Sequence, residues 1–105
     1  MISFAQVVIN LGAPLESAFH YHLPPDLEGD VRPGHLVLVE FGSRLAQGLV
    51  LALDDQSPVP ETKPIIGLVM PDPVLEPVQI ALARWMSATY LASLMDCLRL
   101  MLPPG

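Results

Sequence analysis

Apolar and polar positions alternate in short runs over the first two thirds of the chain, then switch to helical spacing. Phe4 to Asn10 (FAQVVIN) is a β-branched run closed by Asn10, Gly12 and Pro14, which predicts a first strand. Ala18 to Leu23 (AFHYHL) predicts a second strand, stopped by Pro24-Pro25, with Phe19 and Tyr21 on one face and His20 and His22 on the other. Asp26 to Arg32 reads as a polar loop containing Gly29. From Pro33 to Gly48 (PGHLVLVEFGSRLAQG) the chain leaves a Pro-Gly turn, runs extended, reverses at Phe41-Gly42 and returns, so a hairpin is expected. Leu36, Leu38 and Glu40 alternate in it with Val37, Val39 and Phe41. The return strand, Ala46 to Leu53, is nearly all apolar, which predicts a central rather than an edge position. Gln56 to Thr62 has prolines and no periodicity and reads as an exposed loop. Lys63 is held extended by Pro64, and Ile65 to Met70 predicts a last strand.

After Pro71-Asp-Pro73 the period changes. Val78, Ala81, Leu82, Trp85, Met86 and Thr89 recur at helical spacing behind Glu76-Pro77, with proline at the first helical position. This predicts an amphipathic helix, with Trp85 and Tyr90 as core residues. Ser93 followed by Asp96 resembles a capping signal, so a shorter helix should start near Leu94 and end before Pro103-Pro104. The expected fold is mostly β with C-terminal helices: a small antiparallel β-barrel or sandwich over about 3–70, then one or two helices over about 76–102, in a single domain of 1–105. Leu98, Leu100, Met101 and Leu102 imply either packing back onto the barrel or a surface that expects more protein.

Composition narrows this picture. The 105 residues are 51% hydrophobic, which argues against disorder, and twelve prolines between apolar runs imply short elements joined by stiff turns. Five Lys/Arg against eleven Asp/Glu leave a net charge of −6. A protein that tracks along many phosphates needs basic residues in rows, so that class is excluded, while one or two phosphate contacts are not. Cys97 is alone, which rules out a disulfide framework and fits a reducing, cytoplasmic setting; among Leu94, Met95, Leu98 and Leu100 it reads as inert and buried. The N-terminus lacks a basic region followed by an apolar run, and no apolar stretch reaches the ~20 residues of a membrane span, so a soluble, non-secreted protein is expected.

Candidate chemistry is sparse. His20, His22 and His35 are the histidines, and the H-x-H pair binds a metal only if a third ligand approaches; half-exposed surface histidines are the plainer reading. Ser17, Ser43 and Ser57 lack the context of a catalytic nucleophile, and no phosphate-loop or dinucleotide fingerprint is present. Gly42 permits either a positive φ or the close approach of something outside the backbone. Phe19 and Phe41 flank turns next to it, and an aromatic ring, a bare glycine and Lys63 together would make a pocket for one nucleotide. The alternatives are a core Phe19, a turn-only Gly42 and a solvated Lys63.

Three motifs in this order carry a family likeness: F-x-Y-x-L-P at Phe19 to Pro24, PG-x-x-V-x-V-x-FG-x-R-x-x-x-G at Pro33 to Gly48, and W-x-x-x-x-Y ending in LPPG at Trp85 to Gly105. With K-P-I-I-x-x-V at Lys63 to Val69 they resemble the N-terminal domain of the PriA family, the primosomal helicases of bacterial replication restart. The resemblance implies a non-catalytic fragment that binds the free 3′ end of the nascent leading strand at a stalled fork, with little regard for the base. The winged-helix, ATP-driven helicase and zinc-binding parts, and with them ATP and zinc, would lie outside this chain. The implied partners are DNA with a free 3′ end, the remaining domains of the same helicase and, through the full-length protein, other primosome and single-strand-binding proteins, with no membrane. Carried over by position, the site comprises Phe19 as aromatic, Gly42 as glycine and Lys63 as lysine. His20 stands where the family pocket has an aspartate, so the resemblance does not carry over that carboxylate's side-chain bonds and implies, at position 20, contacts that the main chain can make. The rival from another class is a β-barrel that docks a motor domain or partner without touching DNA.

Overall fold

The computed structural model describes residues 3–9, 18–90 and 94–101. Five strands, β1 (Phe4–Ile9), β2 (Ala18–His22), β3 (Leu36–Phe41), β4 (Arg44–Asp54) and β5 (Ile65–Leu68), form one antiparallel sheet in the order β2-β1-β4-β3-β5. The apolar return strand β4 is in the middle, as its composition predicts. Its burial explains why: Val50 enters the inner core with Val7, Val37 and Val39, while Leu49 and Leu51 point into a second cluster on the outer face. Asn10, Gly12 and Pro14, expected to close the first strand, lie outside the described residues. β5 stops at Leu68, two residues short of the expected end at Met70.

Register shifts at Gln6/Val7 in β1 and at Leu38/Val39 in β3 bend the sheet. The sheet curls until its two edges meet. There the His22 N–H donates to the Lys63 carbonyl at 3.0 Å, beside a parallel bridge from His22 to Pro64. Pro64 has no N–H with which to extend the ladder, so closure is local. The expected small antiparallel barrel or sandwich followed by one or two helices is thus a curled, partly closed five-stranded sheet followed by two helices.

Helix α1 (Pro77–Tyr90) starts on proline, and the Gln79 side chain accepts the Glu76 N–H at 2.8 Å, one half of a capping box. Helix α2 (Leu94–Met101) follows. The capping signal expected at Ser93 lies outside the described residues. Both helices cover the outer sheet face, where Ile80, Ala83, Cys97 and Leu98 join Val8, Leu49, Leu51 and Leu75. Cys97 is therefore buried as expected, and Leu98 packs back onto the barrel.

The face that α1 buries differs from the one its sequence suggests. Ile80 and Ala83 are buried, whereas Val78 (67% exposed), Leu82 (46%) and Trp85 (56%) look outward. Trp85 is thus not a core residue. The helix is apolar nearly all round, so periodicity alone does not choose between two faces; the buried one is the one whose Ile80 and Ala83 share a cluster with Leu49 and Leu51. Among the described residues, no helix is long and apolar enough to cross a membrane.

Candidate functional site

Strand alternation sends Phe19 and Tyr21 inward from β2. Tyr21 is buried in the inner core, and Phe19 packs partly buried against it. Phe41, the last residue of β3, meets Phe19 edge to face, with ring centroids 5.0 Å apart and planes at 67°. The Tyr21 hydroxyl donates to the Glu40 carbonyl at 3.2 Å, which ties β2 to the end of β3. Burial, and secondarily the Glu40 carboxylate, push the Tyr21 phenol above its usual range.

Gly42 opens the two-residue turn between β3 and β4. Its φ of +63° is a conformation that suits glycine, and a Cβ added there would meet nothing within 4 Å. The turn reason for glycine is therefore real, and the space above it is also empty of protein.

Lys63 arrives at this turn because barrel closure fixes its backbone carbonyl against His22. Its Nζ donates to the Gly42 carbonyl at 3.3 Å and to Glu40 Oε1 at 3.4 Å. The side chain is half exposed and remains open to solvent on its far side.

His20 alternates to the opposite face from Phe19. Its Nε2 lies 3.3 Å from Asp54 Oδ2, which also accepts from Gln6 Nε2 at 3.4 Å. The imidazole is engaged across three strands, through Asp54 on β4 and, beside it, Gln6 on β1. His22 pairs through Nδ1 with the Thr62 hydroxyl at 2.9 Å. His35 is fully buried, with Nδ1 accepting the Arg32 N–H at 2.8 Å and Nε2 donating to the Pro71 carbonyl at 3.1 Å. The three histidines therefore do not converge, and no group of three metal-ligating side chains occurs among the described residues.

Phe19, His20, Gly42 and Lys63, with Phe41 and Tyr21, line one cleft of about 500 Å³, within the ~300–1,000 Å³ usual for a bound small molecule. The far wall is the loop before Lys63, through Pro58, Val59, Glu61 and Thr62, and Glu40 stands on the near side. Sequence reading did not assign these wall residues to the site. Glu40 left a signal, the one carboxylate on an otherwise apolar strand face next to Phe41-Gly42; the loop residues left none, because aperiodic loops do not encode what they cover. The lining holds Lys63 as its cation against Glu40 and Glu61.

Residues 6–103 match the 3′DNA-binding domain (3′BD) family of PriA. The chain is also 30% identical over 105 residues to the replication restart protein PriA of Bacillus subtilis (strain 168), covering 97% of this chain and 13% of that protein. Against the replication restart protein PriA of Treponema pallidum (strain Nichols) it is 30% identical over 96 residues, covering 86% of this chain and 15% of that protein. The chain thus spans a small fraction of the length of these relatives. With its motifs, curled sheet and matched residues agreeing, the chain belongs to the PriA 3′DNA-binding domain family.

Proposed function

We propose that this chain binds the terminal nucleotide at the free 3′ end of the nascent leading strand at a stalled fork, without regard to the base, as the N-terminal module of a replication-restart helicase. The observation that carries the reading is the meeting of Phe19, Gly42 and Lys63, from three separate elements, around one cleft with open space over the glycine. Each has a distinct role in that reading. The Phe19 ring is a wall for a base, with stacking on the order of 1–3 kcal/mol, Gly42 leaves room for the terminal sugar, and Lys63 meets one phosphate. His20 contributes its main chain at the rim, since its ring serves Asp54.

An acidic domain can do this work, because end recognition requires closure against a continuing strand rather than a row of phosphate contacts. In this reading the fragment has no catalytic activity, works in the cytoplasm beside the remaining domains of the helicase, and leaves ATP and zinc to them. The outward stripe Val78, Leu82 and Trp85 favours a second reading, docking onto another protein surface. That stripe shares no residue with the cleft, so both uses are compatible.

Anisotropy titrations with a linear single strand and a circular strand of the same sequence test the proposal. The linear strand should bind and the circle should not; equal binding of both would sink end recognition. Lys63→Ala should weaken binding and make the salt dependence shallower by roughly 0.7–1 unit of slope.

A further inference from the structure

We propose that Arg44 extends the site by one nucleotide, its guanidinium holding the internucleotide phosphate next to the one at Lys63, so that the strand leaves the cleft across the β3–β4 turn. The inference rests on the end-binding reading and deepens it by giving the strand a path and a second charge contact.

Register is the first argument. β3 and β4 pair as Val37↔Gly48, Val39↔Ala46 and Phe41↔Arg44, and directly opposed residues of antiparallel strands send their side chains to the same face. Val37 and Val39 belong to the inner core and Ala46 packs against it, so this row faces inward. Arg44 is its last member on β4, beside Phe41, whose ring meets Phe19 in the cleft. On the other flank of β3, the pair Val39↔Ile65 brings the segment before β5 to the same level, and Lys63, two residues upstream, reaches the Gly42 carbonyl. The order β4-β3-β5 therefore sets one cation on each side of Phe41-Gly42. Their backbones are two strand spacings apart, roughly 10 Å, a separation that two long side chains can shorten to that of neighbouring phosphates.

Charge is the second argument. Five Lys/Arg serve the whole chain, whose net charge is −6, so the place of each one matters. Lys63 is already engaged by Glu40 and the Gly42 carbonyl. Arg44 is exposed, and its guanidinium has no hydrogen bond or ion pair among the described residues. The turn it follows is shaped by Gly42 and the backbone pairing of β3 with β4, which leaves the guanidinium free for a ligand. Arginine presents a planar fork of donors that matches two phosphate oxygens at once, and it is more weakly hydrated than lysine. It stands at the rim rather than in the lining, so the group it meets is the next phosphate along the strand and not the terminal nucleotide. A merely solvated arginine would be equally unpartnered; coupling to one particular phosphate separates the two.

The test is a cycle between protein and strand. Anisotropy compares the chain with Arg44→Gln and Arg44→Lys on a short 3′-hydroxyl oligonucleotide that carries ordinary linkages, a neutral methylphosphonate at the linkage nearest the 3′ end, or one at the next linkage. For the unaltered chain, neutralising the next linkage should weaken binding about fivefold. Arg44→Gln should lose the same factor on the ordinary strand, lose nothing more on the strand already neutral at that linkage, and keep its full sensitivity to the linkage nearest the end. Its salt dependence should also be shallower by about 0.7 unit of slope, whereas Arg44→Lys, which retains the charge, should keep the slope. Melting temperatures should be unchanged in both variants, because the position is exposed. Losses from protein and strand that simply multiply, or an Arg44→Gln chain that binds all three strands as the unaltered chain does, would overturn the inference and leave end binding intact. If the unaltered chain binds a circular strand as well as a linear one, end binding fails and this inference fails with it.

Discussion

Gly42 holds two requirements at one residue. Its φ of +63° demands a glycine or a residue that tolerates the left-handed region, and where a side chain would stand no protein atom lies within 4 Å. The two separate experimentally. Gly42→Ala should cost about 1–2 kcal/mol of stability from the backbone alone, while Gly42→Asn, which visits this region more readily, should cost less. If a sugar fills the space, both variants should lose DNA affinity by tenfold or more, whatever their stability. Affinity that tracks stability instead would return Gly42 to a turn role. The turn was legible from Phe41-Gly42 between two apolar runs, because turn chemistry is local. The engagement of His20 with Asp54 was not, since it depends on the register of β2, β1 and β4 across a separation of 34 residues.

At the scale of elements, the strands were more legible than the helix. A period of two leaves little choice of face once Val37, Val39 and Phe41 alternate with Glu40, and the apolar run Leu49–Leu53 of β4 could be satisfied only in the middle of a sheet covered on both sides. Helix α1 offered two apolar faces, and the choice was made by the outer surface of β4, through Leu49 and Leu51, which α1's own sequence does not contain. Denaturant unfolding tests the assignment. Ile80→Ala should destabilise by about 2–4 kcal/mol, whereas Leu82→Ala, at a half-exposed position, should stay within about 0.5 kcal/mol. The reverse order would put the buried stripe where periodicity alone suggested.

On the scale of the whole molecule, the site exists because the barrel closes. Phe19 rides on the edge strand β2, Gly42 on the central hairpin, and Lys63 on the segment that meets β2 at His22, so the contact that shuts the sheet also brings the lysine to the turn. None of these distances is written in local sequence. The order of the motifs carried the family, and the geometry then added Glu40 and the 58–62 wall. Net charge of −6 over a lining with one lysine suits a ligand met at its end, not along its length. The most direct measurement is a crystal structure of the chain with a short oligonucleotide ending in a 3′-hydroxyl. The terminal nucleotide should lie in the cleft, its sugar over Gly42, its base against Phe19 and a phosphate at Lys63. A strand bound with its 3′ terminus outside this cleft, or passing through the cleft as a continuous chain, would contradict the account.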